Sequence, residues 1–264
     1  MENISKLKAT IDEFGNLPSN FNPKIRDDFV MEVARKLPQG TRVLDVSSGN
    51  KPYKNLFSHC EYISHEFDGN KNIIDGFRNE TSSSNKSHDI YSPIDNIPVS
   101  DESFDFLICT EVFEHIPEPI KAMKEFVRIC KPGGQILITA PFTSGVHQQP
   151  YHFYSGFSPF FYNYLKDIFN LKITKFKSQG NNYLLNSQEI SRVLIDSTKT
   201  DIIQNNHEFN RTIHELSSFI SKYLLVVSQR NENKTKYYDS ADKMLDIESP
   251  FNAFTIGYCV LFSK

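Results

Sequence analysis

Residues 41–53, TRVLDVSSGNKPY, constrain this chain more than any other stretch. Val43, Leu44 and Val46 are apolar and mostly β-branched, which reads as a buried strand. Asp45 places a carboxylate where that strand ends. Ser47, Ser48 and Gly49 make a turn of small residues in which backbone can come close to a ligand. Pro52 and Tyr53 then lead into a helix start. In an open α/β sheet, ligands bind at the carboxyl ends of the strands, near the reversal of strand order, so this turn is the expected ligand site. The same residues would also serve as a plain strand-to-helix connection, so the rest of the chain has to decide.

Read in order, the chain begins with a helical lead over residues 1–40, broken at Gly15, Pro18 and Pro23. A helix is expected over 24–36, with Ile25, Phe29, Val30, Val33 and Ala34 at helical spacing and Pro38-Gln39-Gly40 ending it. Strands are expected at 42–46, 61–67, 89–91, 104–109, 135–140 and 171–176, with a last one over 254–262. A short helix is expected at 53–58. Another spans 118–130 with Ile120, Met123, Phe126, Val127 and Ile129 on one face, and a third runs from about Ser158 to Phe169. Lys131-Pro132-Gly133-Gly134 reads as a helix stop and turn. Residues 69–87 and 229–240 read as polar loops. Residues 180–250 are mostly helical in pattern, with Ile190, Val193 and Leu194 in one helix and Ile213, Leu216, Phe219, Ile220 and Leu224 in another. Strands alternating with helices argue for a parallel, doubly wound α/β sheet.

Charge and cysteine usage exclude several classes. A net charge of −3 gives no bulk attraction to nucleic acid. Cys60, Cys109, Cys130 and Cys259 form no Cys-x-x-Cys pair, so neither a zinc site nor a redox dithiol is expected, and no metal. No apolar run reaches the roughly 20 residues that span a bilayer, and the first residues carry no apolar signal core. The expectation is a soluble cytoplasmic protein with no nucleic-acid or membrane partner, and with a homodimer as one form it can take.

Three segments at one spacing carry a family resemblance: VLDVSSG at 43–49, YISHEF at 62–67, and DESFDFLICTEVFEHIPEPIKAMKEFVRICKPGGQILITAPF at 101–142. The chain resembles the class I S-adenosylmethionine-dependent methyltransferases, of the broad type 11 group. The resemblance implies a Rossmann-like sheet of about seven strands, with the final strand antiparallel between strands 5 and 6. With a helical pattern at 180–250 held between two strand-like runs and no clear linker, a single domain is expected: a core at 41–180, a helical insertion or cover at 180–250, and the final strand at 251–264. The implied cofactor is S-adenosylmethionine, with S-adenosylhomocysteine as product.

On that reading Glu66, with Phe67 beside it at the end of strand 2, would accept both ribose hydroxyls as a bidentate carboxylate. Asp45 and the backbone of Ser47 to Gly49 would face the methionine moiety. The backbone around Thr110 and Glu111 would accept from its ammonium. Ser47 stands where the family's turn has its first glycine, tolerable if φ stays negative or the turn shifts. Pro93 stands where the family often has an aspartate for adenine, leaving the Ile94 N–H or Asp95 for that edge. His147 and His152, in the loop after strand 5, and His115, after strand 4, are the candidate proton acceptors or acceptor-orienting groups. Tyr53, Tyr151 and Tyr154 are candidate substrate contacts. A stretch PYHFYSGFSPFFY at 150–162 is similar to one in a subset of the family, which implies a shared pocket. The implied activity is methyl transfer to oxygen or nitrogen of a small-molecule or glycan-type acceptor. The alternative is a catalytically silent cofactor-binding or scaffold protein of the same fold.

Overall fold

The structure, a computed structural model, describes residues 21–67, 87–197 and 255–264, with isolated helical positions between 208 and 224. The polar loops expected at 69–87 and 229–240, and most of the second helix of the 180–250 region, lie outside the described residues. The described part falls into two compact units. One holds Arg26–Lys177 and Gly257–Lys264; the other includes Ser178–Ser197 with Thr255 and Ile256.

The first unit is organised by a seven-stranded sheet, which β6 completes with its last residue in the second unit. Its strands are β1 (Arg42–Val46), β2 (Glu61–Glu66), β3 (Ile90–Tyr91), β4 (Phe104–Thr110), β5 (Cys130–Pro141), β6 (Lys172–Ser178) and β7 (Gly257–Ser263), in the order β3-β2-β1-β4-β5-β7-β6. β1 is parallel to β2 and β4, β2 to β3, and β4 to β5, while β7 runs antiparallel to β5. The strand order reverses between β1 and β4, and the register there sets Asp45 beside Ile108 and Val46 beside Cys109.

Both faces of the sheet are covered, as period-2 alternation of apolar residues on both sides requires. On one face Leu44, Leu107, Ile136 and Ile138 pack under α2 (Pro119–Ile129), through Ala122, Met123, Phe126 and Ile129, and under α3 (Pro159–Ile168), through Tyr162 and Leu165. On the other face Val43, Phe106, Ile108 and Leu137 pack under α1 (Phe21–Ala34), through Phe29, Val30, Val33 and Ala34, and under the 3-10 turn Lys54–Phe57. Burying each large apolar side chain is worth about 1.5–3 kcal/mol, which is what ties the helices to the sheet. α4 (Asn182–Ser197) belongs to the second unit, where the Asn181 side chain caps it by accepting from the N–H groups of Tyr183 and Leu184, both at 3.1 Å.

The structure corrects the reading at three places. α1 begins at Phe21 rather than 24, because Pro23 sits in the first turn, where a missing N–H costs nothing. The Lys131–Gly134 segment stops the helix as expected but is part of β5, bulging opposite Phe104 and Phe106. Ile120, read as part of the buried face of α2, is 42% exposed.

Candidate active site

Because β1 to β5 are parallel, their carboxyl ends share one edge, and the groups singled out from sequence gather there. The β1 turn is left-handed. Ser47 has φ +52° and Gly49 φ +51°. Ser47 therefore does not keep the negative φ that was one of its two expected accommodations: serine takes the left-handed conformation itself. Among the described residues, a Cβ built on Gly49 meets nothing within 4 Å, which leaves space beside the turn for a ligand.

Glu66 ends β2 against this turn. Its Oε2 accepts the Gly49 N–H at 2.9 Å and its Oε1 accepts the Phe67 N–H at 3.1 Å. A carboxylate has about four acceptor positions, so two remain for hydroxyls. Phe67 is 42% exposed beside it. His88, which sequence reading passed over, lies on the same groups: its Nε2 donates to the Gly49 carbonyl at 3.0 Å and stands 3.7 Å from Glu66 Oε2.

His65 anchors the turn from beneath, and it too was missed. It is fully buried; its Nδ1 accepts the Ser47 N–H at 3.3 Å and its Nε2 donates to the Ser92 carbonyl at 3.1 Å. That pairing needs a neutral ring, and burial pushes its pKa down to about 4. A buried histidine at an inward position of β2 is the signal that would have revealed it.

Asp45 does not open to a ligand. It is 2% exposed, accepts from Tyr62 Oη at 2.5 Å, and is pushed up to about 7 chiefly by burial. Tyr53, expected to contact substrate, is 5% exposed, and its hydroxyl donates to Asp27 at 2.7 Å while accepting from Arg26 Nε at 2.9 Å. Glu111 has φ +53°; its Oε1 accepts from Thr139 Oγ1 at 2.8 Å and its Oε2 lies 3.9 Å from Arg26 Nη1. Arg26 thus links α1 to Tyr53 and to Glu111 just past the end of β4, a role no local motif announces. Thr110 closes β4 opposite Thr139 of β5. Ile94 is buried in the core beside the turn that Asn96 N–H closes on the Pro93 carbonyl, and Asp95 is exposed on it.

The loop after β5 is stitched back over the β4 end. Phe153 and Tyr154 N–H groups both bond the Glu114 carbonyl, Tyr154 Oη bonds the Pro117 carbonyl at 2.8 Å, and Phe157 N–H bonds the Pro141 carbonyl at 2.8 Å. Gly156 is required here: a Cβ would sit 2.3 Å from the Phe142 backbone. This stitching brings His115, His147 and His152 together, with ring centroids 4.7–5.9 Å apart. Tyr151 contributes its carbonyl, which accepts from His115 Nδ1 at 2.5 Å. Burial lowers the pKa of both His115 and His152, and neighbouring histidines lower them further. Burial, with the Glu111 carboxylate nearby, pushes Glu114 up to about 8. Beside the loop lies a cavity of about 750 Å³ lined by Phe142, Tyr154, Phe157, Phe161, Ile120 and Lys121, among others. Its lining explains the exposure of Ile120.

Residues 44–138 match the family model described as a methyltransferase domain, the stretch from β1 into β5 that builds this edge. That stretch is similar to a methyltransferase domain, and the sheet built on it has the fold of the class I methyltransferases. Among curated relatives, the demethylmenaquinone methyltransferase of Staphylococcus haemolyticus (strain JCSC1435) is 28% identical over 161 residues, covering 58% of this chain and 66% of the relative. That of Staphylococcus aureus (strain JH9) is 27% identical over 161 residues, covering 59% and 65%. The matches thus span just under two thirds of those relatives. Among solved structures, a protein of Galdieria sulphuraria proposed to be a sarcosine dimethylglycine methyltransferase shares the fold, with a TM-score of 0.50, 17% identity, and coverage of 91% and 86% of the two chains. For a methyltransferase of this class the residues at hand fit the cofactor's ribose: the space beside Gly49, the spare acceptor positions of Glu66 and the exposed Phe67 ring adjoin one another.

Proposed function

We propose that this chain transfers a methyl group from S-adenosylmethionine to an oxygen or nitrogen of a small-molecule or glycan-type acceptor. One observation carries the reading: a carboxylate cradle at the β1–β2 ends and a histidine-bearing loop over the β4–β5 ends share one edge of the sheet. When bound, S-adenosylmethionine supplies a methyl group activated by a sulfonium. The protein's share is positioning and proton handling. Glu66 would hold the ribose hydroxyls, and the Gly49 backbone and Phe67 would flank it, with the Ile94–Asp95 turn serving the adenine edge. The backbone at Thr110–Glu111 would face the ammonium, and Asp45 would support the turn from within rather than touch the ligand. His147 or His152, with His115 behind them, would orient the acceptor or take its proton. The cavity walls of Phe142, Tyr154, Phe157 and Phe161 favour an acceptor with an apolar or aromatic part, and relatives named demethylmenaquinone methyltransferases agree with a small-molecule acceptor.

A second reading, cofactor binding without turnover, draws on His88 beside the Glu66 carboxylate and on Pro93 in place of the usual aspartate. Calorimetry with S-adenosylhomocysteine, followed by turnover on a panel of hydroxyl and amine acceptors, separates the two. Binding with methyl transfer supports the first reading and binding with none across the panel supports the second. No binding at all overturns both.

A further inference from the structure

The three histidines have a property that proton transfer does not use. His115 Nδ1 donates to the Tyr151 carbonyl at 2.5 Å and His147 Nδ1 donates to the Gly145 carbonyl at 2.9 Å. A carbonyl only accepts, so both rings carry hydrogen on Nδ1 and a lone pair on Nε2. Fixing one ring nitrogen on a backbone carbonyl is how proteins orient metal-ligating imidazoles. His152 sits beside His147, with both ring nitrogens shielded from solvent and bonded to nothing among the described residues. Leaving such nitrogens unsatisfied costs about 1–3 kcal/mol in an ordinary interior. One ring nitrogen from each histidine lies within 4.8 Å of the other two. The Glu114 carboxyl stands alongside, its Oε1 3.6 Å from His115 Nε2 and its Oε2 buried without a partner among the described residues.

We infer that His115, His147 and His152 bind a divalent transition-metal ion, of the Zn²⁺ or Co²⁺ kind, leaving a coordination position for an oxygen ligand. Three neutral imidazoles suit these ions and not Mg²⁺ or Ca²⁺, which take oxygen donors. Three protein ligands with one open position is the arrangement of zinc sites that also bind a water or substrate. Zinc–nitrogen bonds of about 2.0–2.1 Å place tetrahedral donors roughly 3.4 Å apart, so the set must tighten slightly. His147, exposed on its loop, can supply that movement by side-chain rotation. The site holds whether or not the chain transfers a methyl group. If it does, the ion would present the acceptor's oxygen, and the histidines would orient rather than deprotonate it. Cysteine spacing gave no hint of this, because the donors come from two separate segments and only the fold joins them.

The test uses tag-free full-length protein stripped with chelator, titrated with Zn²⁺ by calorimetry and with Co²⁺ by visible absorption. The expected result is one ion per chain with a histidine-ligated Co²⁺ spectrum. His152→Asn and His147→Asn should each weaken uptake by roughly tenfold or more, while metal-free melting temperature and S-adenosylhomocysteine affinity stay put. His59→Asn, in a histidine outside the cluster, should leave uptake unchanged. His147 is exposed, so its variant decides even if His152→Asn fails to fold. Absent uptake, or uptake as tight in the His147→Asn/His152→Asn double variant as in the parent, overturns the assignment.

Discussion

The two halves of the candidate site are built differently. On the β1–β2–β3 side nearly every polar group named above is answered by the protein: His65 by Ser47 and Ser92, Asp45 by Tyr62, Glu66 by two backbone amides. On the β4–β5 side polar groups are gathered and left open, with the ring nitrogens of His152 and Glu114 Oε2 shielded from solvent and unpaired among the described residues. A satisfied network is rigid and holds a shape; an unsatisfied one stores affinity for something else. The first half thus has the character of a preformed cradle, and the second that of a site completed by its ligand.

The largest effect that separates the halves should come from the open side. His147→Asn or His152→Asn should lower turnover on the true acceptor by roughly 10²-fold, with S-adenosylhomocysteine affinity and melting temperature preserved. Loss of all three together would make these histidines structural and erase the contrast.

Next in size is the cradle. Glu66→Ala removes the charged acceptor proposed for the ribose and should weaken S-adenosylhomocysteine binding by about 1.5–3 kcal/mol. Unchanged affinity in a folded variant would show that the carboxylate serves only the Gly49 and Phe67 amides.

The pH dependence of stability tests the cradle's two buried titrating groups, which act in opposite directions. His65 is held down to about 4 in the folded protein, so below about pH 6.5 the unfolded chain takes the proton first. Its contribution should fade as pH drops from about 6.5 to 4. Asp45 is pushed up to about 7, so the folded protein keeps a proton that the unfolded chain releases near pH 4. Its contribution should fade as pH rises from about 4 to 7 and stay flat above. Asp45→Asn, which keeps an acceptor for Tyr62, should therefore raise melting temperature at pH 8 more than at pH 4, by up to a few kcal/mol of stability. Equal effects at both pH values would mean that Asp45 titrates normally in the folded protein.

What was legible in the sequence follows the same divide. Strand ends and turns are set by local signals, so Val43 to Gly49 and Glu66 could be placed from period-2 alternation and small turn residues, and the place of the final strand between strands 5 and 6 came with the family resemblance. Asp45 was placed correctly but its direction was not: the alternation that buries Val43 buries Asp45 on the same face, toward Tyr62. Arg26, His65 and His88 were missed because their partners lie 27 or more residues away in most cases, and no local pattern encodes a long-range hydrogen bond. The histidines were found individually, yet their meeting depends on Phe153 and Tyr154 amides reaching the Glu114 carbonyl. Backbone bonds of that kind leave no trace in side-chain identity.

The smallest expected effect concerns a strained residue of the otherwise satisfied half. Ser47 holds φ +52°, a conformation that costs an L-residue roughly 1–2 kcal/mol. Glycine removes that cost but gives back about 0.5–1 kcal/mol through its greater freedom when unfolded. Ser47→Gly should thus raise stability by up to about 1 kcal/mol, a shift of a few degrees in melting temperature. The Ser47 N–H to His65 bond and the position of the turn do not depend on the side chain, so S-adenosylhomocysteine affinity should change little. A clear loss of stability would mean that the serine hydroxyl holds the turn in a way that outweighs its strain. A large gain in affinity would mean that the side chain itself narrows the cradle, and that the cradle is less preformed than its hydrogen bonds imply.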